Sequence, residues 1–542
     1  MEFNDYDNFR IVIFTVLVGM LISTYGLLKW GHEWFYVRKL GVRRHSLPPG
    51  DMGWPFVGNM LSFAISFKMG HPDSFISNLH TSHVANIRVC RTVSYFREWA
   101  CKIVRQVFVN RPMLRSQQLR RTAIAKDIKF NRTHMYKSHM FGSPSVIVTS
   151  PDACRRVLMD NETFGPGWPK SVTDLLGDRG FHGITNEEHR RLRRLTAGSL
   201  SGQEAMSFYI EYIKDIAITS LKDLSEKEKP VELLTEMRKN AFNIIMYIIL
   251  GIETSPELEK LEKEYHFLTH ALKAMRINLP GFAYHRGLQA RKKLIKKFGT
   301  LVEQRRILLD NKHTNGKRYM VDLLMETEED GKKLSSQEIV DLIIIYLLAG
   351  HESFAHASTW VLIHLLEHPQ YYQLAKEEQE EIVKKRVSTE DELSLGEIKE
   401  MEYLSKVIDE SLRVANLSFT LFREAKTDVH MNGYTIPKGW KVLPWIRSVH
   451  MDSQNYKNPN AFNPCRCEED NTGKGAGMYM PFGAGSRLCP GMNLAKLEIC
   501  IFLHYFLLHY RIERLNPNGK VTYIPVTRPS DNCLARIRKL PK

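Results

Sequence analysis

A ten-residue stretch near the C-terminal end, Phe482–Gly491, combines the residue types that let a tight loop present one sulfur atom. Gly483 and Gly485 allow the backbone to turn where a side chain would clash. Cys489 follows them, and a Pro-Gly pair then opens a predicted helix over 493–510, because proline is tolerated in a first helical turn. The arrangement predicts that the cysteine sulfur lies at the N-terminus of a helix.

A cysteine in that position has its thiolate favoured by unpaired N–H groups and by the helix dipole. Such a thiolate suits a haem iron, and Arg487 is placed to pair with a haem propionate. A lone cysteine is usually only a small buried apolar residue, so the argument depends on the spacing Phe-x-x-Gly-x-Arg-x-Cys-x-Gly. This pattern resembles the haem-binding loop of the cytochrome P450 monooxygenases. The resemblance implies that Cys489 is the axial ligand of the iron of haem b and that Phe482 and Arg487 bind the cofactor.

Two other segments resemble elements that contact a haem propionate in this family. A short basic helix predicted over 186–196 carries His189 and Arg193 four residues apart, which puts them on one helix face. A later segment that begins at Phe422 resembles a strand that supplies an arginine, here Arg423. The resemblance implies that the histidine and the two arginines bind the propionates.

A long apolar helix is predicted from a capping box of Ser335 and Glu338 to about His368, where Pro369 follows. A helix this apolar is buried. A carboxylate within it, at Glu352, is therefore destabilising unless it has a function.

The sequence Ala-Gly-His-Glu-Ser at 349–353 resembles the helix that crosses the distal face of the haem in this family. The resemblance implies that Glu352 and Ser353 are catalytic and guide protons to the reacting dioxygen. It also implies that Gly350 leaves space for a ligand. Residues expected by position to line an apolar pocket are Ile345, Leu348, Ala349, Phe419, Leu421 and Val526.

Glu410 and Arg413 form a Glu-x-x-Arg pattern, which is uninformative alone because it recurs elsewhere in the chain. Its position about 75 residues before Cys489, with Arg466 between them, resembles the family's structural triad. The resemblance implies that Glu410, Arg413 and Arg466 ion-pair on the proximal side of the haem. A buried triad of this kind indicates one specific architecture rather than net stability.

The N-terminal region contains an 18-residue run without a charged residue, Ile11–Leu28, which is long enough to span a bilayer. Basic residues are concentrated after it, so that side is expected to stay in the cytosol, and no signal-peptide cleavage pattern is evident. Residues 1–30 are therefore predicted to be a single-pass anchor in the endoplasmic reticulum membrane, with the catalytic domain cytosolic; the alternative is a buried core helix. Residues 31–59 resemble the basic, proline-rich hinge of microsomal family members, and 60–542 the haem-thiolate domain.

The segment 83–134 differs in composition from the rest of that domain. It carries twelve Lys or Arg residues against two acidic ones, which is +10 of the chain's net charge of +16. No stacking platform or nucleic-acid motif accompanies the charge, so a nucleic-acid partner is not expected. The favoured interpretation is an atypical insertion, looped out or disordered and arising from splicing or a gene-model error; the second is a membrane-surface patch.

Composition is that of an ordinary globular protein, with 43% hydrophobic and 25% charged residues in 542. The eight cysteines show no disulfide framework, which favours a reducing compartment. The family resemblance covers 48–542 apart from 83–134 and implies a mainly α fold with small β-sheets. It also implies a monooxygenase that uses dioxygen and electrons from a separate NADPH-cytochrome P450 reductase, since no flavin or nicotinamide motif is visible.

Within the family, the wording of several motifs is most similar to plant terpenoid oxidases, namely ent-kaurenoic acid oxidase of gibberellin synthesis and beta-amyrin 11-oxidase. The favoured hypothesis is oxidation of a polycyclic terpenoid in the manner of ent-kaurenoic acid oxidase. A triterpenoid oxidase similar to beta-amyrin 11-oxidase is the first alternative. Two others are a haem-thiolate isomerase or dehydratase, which the acid–hydroxyl pair disfavours, and an inactive membrane protein disrupted by the 83–134 segment.

Overall fold

The computed structural model describes residues 3–68, 71–79, 134–177, 179–252, 256–310, 318–329, 331–386, 392–466, 475, 477–524 and 526–541. Two compact units can be distinguished, residues 1–150 with 424–443 and residues 151–423 with 444–542. The predicted helix-rich architecture with small sheets is confirmed. The predicted insertion at 83–134 lies outside the described residues, except for His134.

The described helices are α1 (Phe3–Tyr36), α2 (Met60–Lys68), α3 (Pro151–Met159), α4 (Lys170–Leu176), α5 (Asn186–Ser201), α6 (Gln203–Glu226), α7 (Leu233–Leu250), α8 (Pro256–Leu272), α9 (Ala283–Asp310), α10 (Met320–Glu326), α11 (Ser336–Glu367), α12 (Pro369–Lys384), α13 (Leu395–Glu400), α14 (Glu402–Ala415), α15 (Ile446–His450) and α16 (Met492–His509). Shorter helical pieces are 3₁₀ turns at Arg38–Ser46 and Gly485–Arg487 and a segment at 73–79.

The described strands are β1 (Met135–Met140), β2 (Ser143–Val148), β3 (Phe164–Pro166), β4 (Val231–Glu232), β5 (Glu328–Glu329), β6 (Lys332–Lys333), β7 (Arg423–Ala425), β8 (Val429–Met431), β9 (Tyr434–Ile436), β10 (Lys441–Pro444), β11 (Tyr510–Arg514), β12 (Val521–Thr522), β13 (Arg528–Pro529) and β14 (Leu534–Lys539).

The first unit is built on strands that pair in the order β1-β2-β10-β7. Phe141 and Gly142, both with positive φ, form the tight turn between β1 and β2, as two-residue hairpins require. Asn59 fixes the chain before α2 to this sheet, because its side-chain amide donates to the Ser138 hydroxyl (2.9 Å). Helix α1 also belongs to this unit and leaves most of its described apolar side chains exposed, including Phe14 and Leu21 at about 70%.

The second unit is organised around α11, which packs against α7, α9, α14 and α16. Its start is the capping box predicted from the sequence: the Ser335 hydroxyl accepts from the Glu338 N–H, and the Glu338 carboxylate accepts from the Ser335 N–H. Pro369 begins α12 directly after the break at His368, so both predicted ends of the apolar helix are confirmed.

Helix α11 is also the only helix in the described part of the chain that is long and apolar enough to cross a membrane, counting length and hydropathy alone. Two thirds of its most apolar window is buried inside the protein. This burial is typical of the core helix of a large domain.

Candidate active site

The loop that precedes α16 has the tight geometry that its glycines predict. Gly483 and Gly485 have φ of +78° and +74°, a region that side chains rarely adopt. A Cβ on Gly485 would lie 2.5 Å from the carbonyl oxygen of Leu158 at the end of α3, so no side chain fits there. The backbone N–H of Cys489 donates to the carbonyl of Phe482 (3.0 Å), which closes the loop around the cysteine.

Cys489 lies three residues before α16 begins at Met492, as the sequence predicts, and is partly accessible. Burial nevertheless raises the pKa of its thiol, while the N–H of Gly491 and the charge of Arg193 act in the opposite direction. The expectation that the helix N-terminus favours the thiolate is therefore outweighed by desolvation in the protein alone. A metal cation bound to the sulfur would remove the proton, since a coordinating thiol is deprotonated outright.

The groups predicted to bind propionates come together beside this loop. Arg193 on α5 donates to the carbonyl of Leu488 (3.0 Å). Burial, together with the charges of Arg487, Arg193 and Arg423, lowers the pKa of His189 to about 3. Burial and the charge of Arg487 lower the pKa of Arg423 to about 10. These four residues, Arg193, Arg423, Arg487 and His189, are called the arginine cluster below.

No carboxylate of the described residues forms an ion pair with the arginine cluster. Arg487 instead donates to the carbonyls of Phe181 (2.8 Å) and Ile184 (3.1 Å) and to the side-chain oxygen of Asn186 (2.8 Å). His189 is 4% exposed, and its Nδ1 is buried without a hydrogen-bond partner. A desolvated cation without a counter-charge is unfavourable, and so is a buried imidazole nitrogen without a hydrogen-bond partner. The cluster therefore has the properties of an anion-binding site.

Glu410, Arg413 and Arg466 form a second charged cluster, called the ionic triad below. Arg413 donates to both oxygens of Glu410 (2.8 Å each), and Arg466 Nε donates to one of them (3.1 Å). The remaining guanidinium groups donate to backbone carbonyls, such as those of His450 (2.8 Å) and Ala461. All three side chains are at most 7% exposed. Every charge in this cluster therefore has a partner within the chain.

One face of α11 keeps accessible surface. Ile345, Leu348, Ala349, Glu352 and Ser353 retain accessible surface, although adjacent residues of the helix such as Leu347 and Phe354 are almost fully buried. Their spacing places them on one side of the helix. These five positions are called the α11 stripe. The other positions expected to line a pocket, Phe419, Leu421 and Val526, also keep accessible surface.

Glu352 at the edge of the α11 stripe is held by three basic groups. Its carboxylate lies 3.1 Å from Arg238 Nη2, 3.9 Å from Lys273 Nζ and 3.5 Å from the His356 ring. Burial alone would raise the pKa of Glu352, but the charges of Lys273 and Arg238 hold it at about 2. The group is therefore ionised at neutral pH.

Gly350 has a packing role that the sequence did not predict. A Cβ at this position would lie 2.5 Å from Cδ1 of Ile245 on α7. The glycine therefore accommodates the present rotamer of Ile245 between α7 and α11, and the space that it would leave for a ligand stays a prediction.

The comparisons with known proteins agree on one family. The cytochrome P450 family model matches residues 106–526. The chain belongs to the cytochrome P450 family. It is therefore a monooxygenase whose cofactor is haem b.

Three plant enzymes illustrate how closely this cytochrome P450 resembles characterised members. A 7,8-epoxymelianol synthase from Ailanthus altissima is 47% identical over 98% of both chains. Ent-kaurenoic acid oxidase 1 from Arabidopsis thaliana is 47% identical over 96% of both chains, and beta-amyrin 11-oxidase from Glycyrrhiza uralensis is 44% identical over 94% of both. The predicted resemblance to plant terpenoid-oxidising members is thus confirmed.

A solved structure supports the fold independently. The retinoic acid bound cyanobacterial CYP120A1 superposes with a TM-score of 0.71 at 22% identity, covering 91% of this chain and 99% of that one. The cytochrome P450 fold predicted from the sequence is confirmed.

The residues present fit a haem. The arginine cluster supplies cations that lack a counter-charge among the described residues, and the two haem propionates are anions. Cys489 supplies the one thiol in the adjacent loop, and the α11 stripe supplies an accessible, mainly apolar surface. Cys489 would hold the iron, and Arg193, Arg423, Arg487 and His189 would hold the propionates.

Sequence reasoning missed the partners of these residues. Asn186, which positions Arg487, and Arg238, which holds Glu352, lie about 300 and 114 residues away from them in the chain. Neither belongs to a motif. A carboxylate within an apolar helix indicates that a cation must lie nearby, but nothing in the sequence identifies which one.

Proposed function

We propose that this cytochrome P450 oxidises a polycyclic terpenoid, with ent-kaurenoic acid as the favoured substrate. The observation that carries the proposal is the near full-length similarity to ent-kaurenoic acid oxidase 1, at 47% identity over 96% of both chains. A rigid hydrocarbon suits the mainly apolar α11 stripe, because an apolar surface binds such a skeleton by excluding water. Beta-amyrin 11-oxidase, at 44% identity, supports a triterpenoid as the second candidate.

When bound, the haem supplies activation of dioxygen for insertion of one oxygen atom into a C–H bond. Cys489 would hold the iron through its thiolate. The arginine cluster would hold the propionates and so orient the cofactor. The α11 stripe would bind the terpenoid and exclude water.

Glu352 and Ser353 manage protons at the distal side. The Ser353 hydroxyl lies on the accessible face of α11 and is able to hold a proton or a water molecule there. Glu352 is an ionised acceptor that Arg238 and Lys273 hold in place. It takes up a proton only when one of these ion pairs opens, which makes proton delivery conditional on movement of Lys273, the more exposed partner.

Residues 1–30 are proposed to anchor the enzyme in the endoplasmic reticulum membrane, with NADPH-cytochrome P450 reductase as its electron donor. The exposed apolar side chains of α1 support this, because a lipid bilayer is the environment in which such a surface is stable. Removal of residues 1–30 is expected to move the enzyme from the membrane fraction to the soluble fraction in yeast cells. Retention of the truncated protein in the membranes at the full-length level would contradict an anchoring role.

The first measurement is the carbon monoxide difference spectrum of the reduced full-length protein in yeast microsomes. A strongly red-shifted haem band is expected because Cys489 supplies a thiolate. A band typical of neutral ligation, or no haem, would support the interpretation in which the 83–134 segment inactivates the protein, and the variant lacking 83–134 would then be measured in the same way.

The second measurement is product formation with a plant reductase and NADPH. Ent-kaurenoic acid and beta-amyrin are supplied separately, and oxidised products are identified by mass spectrometry. We expect ent-kaurenoic acid to be oxidised at least tenfold faster than beta-amyrin. Oxidation of beta-amyrin alone would replace the favoured substrate by the second candidate.

A further inference from the structure

Three cations lie at the side of α11 that carries Glu352. Arg238 and Lys273 pair with this carboxylate, and Arg528 on β13 is near enough to Lys273 for its charge to act on that amine. The pKa of Lys273 is lowered by burial and, against the effect of Glu352, by the charges of Arg238 and Arg528. The three side chains, Arg238, Lys273 and Arg528, are called the cationic cluster.

Arg528 is fixed against α11 by its neighbour in the chain. The indole N–H of Trp360 donates to the carbonyl of Thr527 (2.7 Å). Trp360 lies eight residues after Glu352, about two helical turns along the same side of α11. The backbone next to Arg528 is therefore held against α11, about two turns beyond Glu352.

The guanidinium group of Arg528 lacks a counter-charge in the described part of the chain. Its Nε is buried without a hydrogen-bond partner, and the Nε of Arg238 is in the same state. Among the described residues, Glu352 is the single carboxylate in ion-pair contact with Arg238 and Lys273, and no carboxylate is in ion-pair contact with Arg528. A buried donor without a partner is unfavourable by about 1–3 kcal/mol, and more when it is charged.

The two candidate substrates differ in charge. Ent-kaurenoic acid carries a carboxylate on its ring skeleton, whereas beta-amyrin carries no group that ionises. An acidic substrate would supply a negative charge to the partly exposed Arg528, and a neutral one would leave its buried Nε without a partner. A site built around such a group rejects the analogue that lacks the partner far more strongly than an apolar pocket rejects an extra methylene.

We propose that Arg528 and Lys273 form a carboxylate subsite that selects an acidic terpenoid, while the ring skeleton lies along the α11 stripe. Lys273 has three donors, so it can bind the substrate and remain paired with Glu352. Arg528 presents a planar fork that fits a carboxylate. The inference rests on the proposed function and deepens it, because it assigns the choice between an acid and a neutral terpenoid to named residues.

The test compares ent-kaurenoic acid with its methyl ester, which keeps the skeleton and removes the charge. Apparent dissociation constants are measured from the substrate-induced spin-state change of the haem in microsomes of the full-length enzyme. The wild type is expected to bind the acid about tenfold more tightly than the ester, since hydrogen bonds to charged groups are worth at least that factor. R528Q is expected to weaken binding of the acid about tenfold and of the ester less than twofold.

Two further variants make the result specific. K273Q is expected to weaken binding of the acid more than of the ester, and R528K is expected to recover part of the loss, because it restores the charge without the planar fork. Arg536→Gln on β14 is the matched control, since Arg536 is exposed. The carbon monoxide difference spectrum of each variant establishes that its haem site is intact.

The outcomes separate this inference from the proposed function. If the wild type oxidises the acid but binds the ester equally well, or if R528Q and K273Q affect both ligands equally, the subsite is wrong and the proposed function stands. If the wild type neither binds nor oxidises the acid and oxidises beta-amyrin, both the subsite and the favoured substrate are wrong, and the second candidate replaces it.

Discussion

The ionic triad and the arginine cluster are both groups of buried or partly buried arginines within the same structural unit, yet they differ in where their negative charge comes from. In the ionic triad, Glu410 accepts from both arginines and backbone carbonyls take the remaining donors. In the arginine cluster, the described residues supply carbonyls but no carboxylate, and the pKa of Arg423 falls to about 10. The first cluster is complete as folded, and the second is complete only with an anionic ligand. Buried charge alone therefore does not mark a ligand site, whereas buried charge without an internal partner does.

The largest effect is expected for Cys489→Ser, because it removes the sulfur atom that would bind the haem iron. The arginine cluster would then hold only the propionates of that haem. The red-shifted carbon monoxide band and monooxygenase activity should both be lost completely. The unfolding free energy of the haem-free protein should stay within about 0.5 kcal/mol of the wild type, since the thiol is partly accessible and isosteric with serine. Cys465→Ser, at another partly accessible cysteine that forms no disulfide, is the control and should keep the band. Retention of the band by C489S would show that another residue ligates the iron.

Glu410→Gln should have the next largest effect. It should lower the stability of the fold rather than remove a contact with the haem. Loss of the carboxylate leaves Arg413 and Arg466 buried without a counter-charge, which is expected to lower the unfolding free energy by about 3–5 kcal/mol. Haem incorporation should fall as a consequence. Urea unfolding of the haem-free protein measures the change. A shift of less than about 1 kcal/mol would show that the ionic triad is not needed for the fold.

Arg423→Gln should show the opposite pattern. Its charged side chain donates to the carbonyl of the preceding Phe422 (3.2 Å) and is disfavoured by burial and by Arg487. Because the folded state lowers the pKa of Arg423, the charged form destabilises the haem-free protein at any pH below about 10. Removing the charge should therefore leave the unfolding free energy unchanged or raise it.

Haem retention should nevertheless fall about tenfold in R423Q, because a propionate loses a charged partner. Haem transfer to an acceptor such as apomyoglobin gives the rate of loss. If R423Q lowered the unfolding free energy of the haem-free protein as much as Glu410→Gln does, the distinction between the two clusters would be wrong.

The smallest effect is expected for His189→Phe, and it depends on pH. The pKa of His189 is about 3 in the folded protein and about 6.5 when unfolded, so between these values the unfolded state binds one more proton. The stability of the haem-free wild type falls as pH decreases through this range, and H189F should lose about 1.4 kcal/mol less per pH unit. Urea unfolding at pH 5.5 and 4.5, between the two pKa values, tests this, with the exposed His266→Phe as control. An identical pH slope in wild type and H189F would contradict the charge environment assigned to the cluster.

The parts of this molecule that could be predicted from sequence are those whose causes lie close together in the chain. The capping box of Ser335, the turn glycines before Cys489 and the helix that follows depend on contacts within a few residues. His189 and Arg193 share a helix face for the same reason. The pairing of Glu352 with Arg238 and Lys273 depends on which helices pack together, and no local pattern encodes it. The raised pKa of the Cys489 thiol could not be predicted from sequence either, because it results from burial, which is known only from the folded structure.

The contact between Gly350 and Ile245 couples two helices in any redesign of this enzyme. With Ile245 in its present rotamer, even an alanine at 350 would overlap its Cδ1 atom, so a substitution at 350 requires this side chain to move or residue 245 to be shortened. A change from isoleucine to valine at 245 removes that atom and has a modest expected cost of about 0.5–1.5 kcal/mol. A library that varies position 350 on α11 should therefore vary position 245 on α7 together with it.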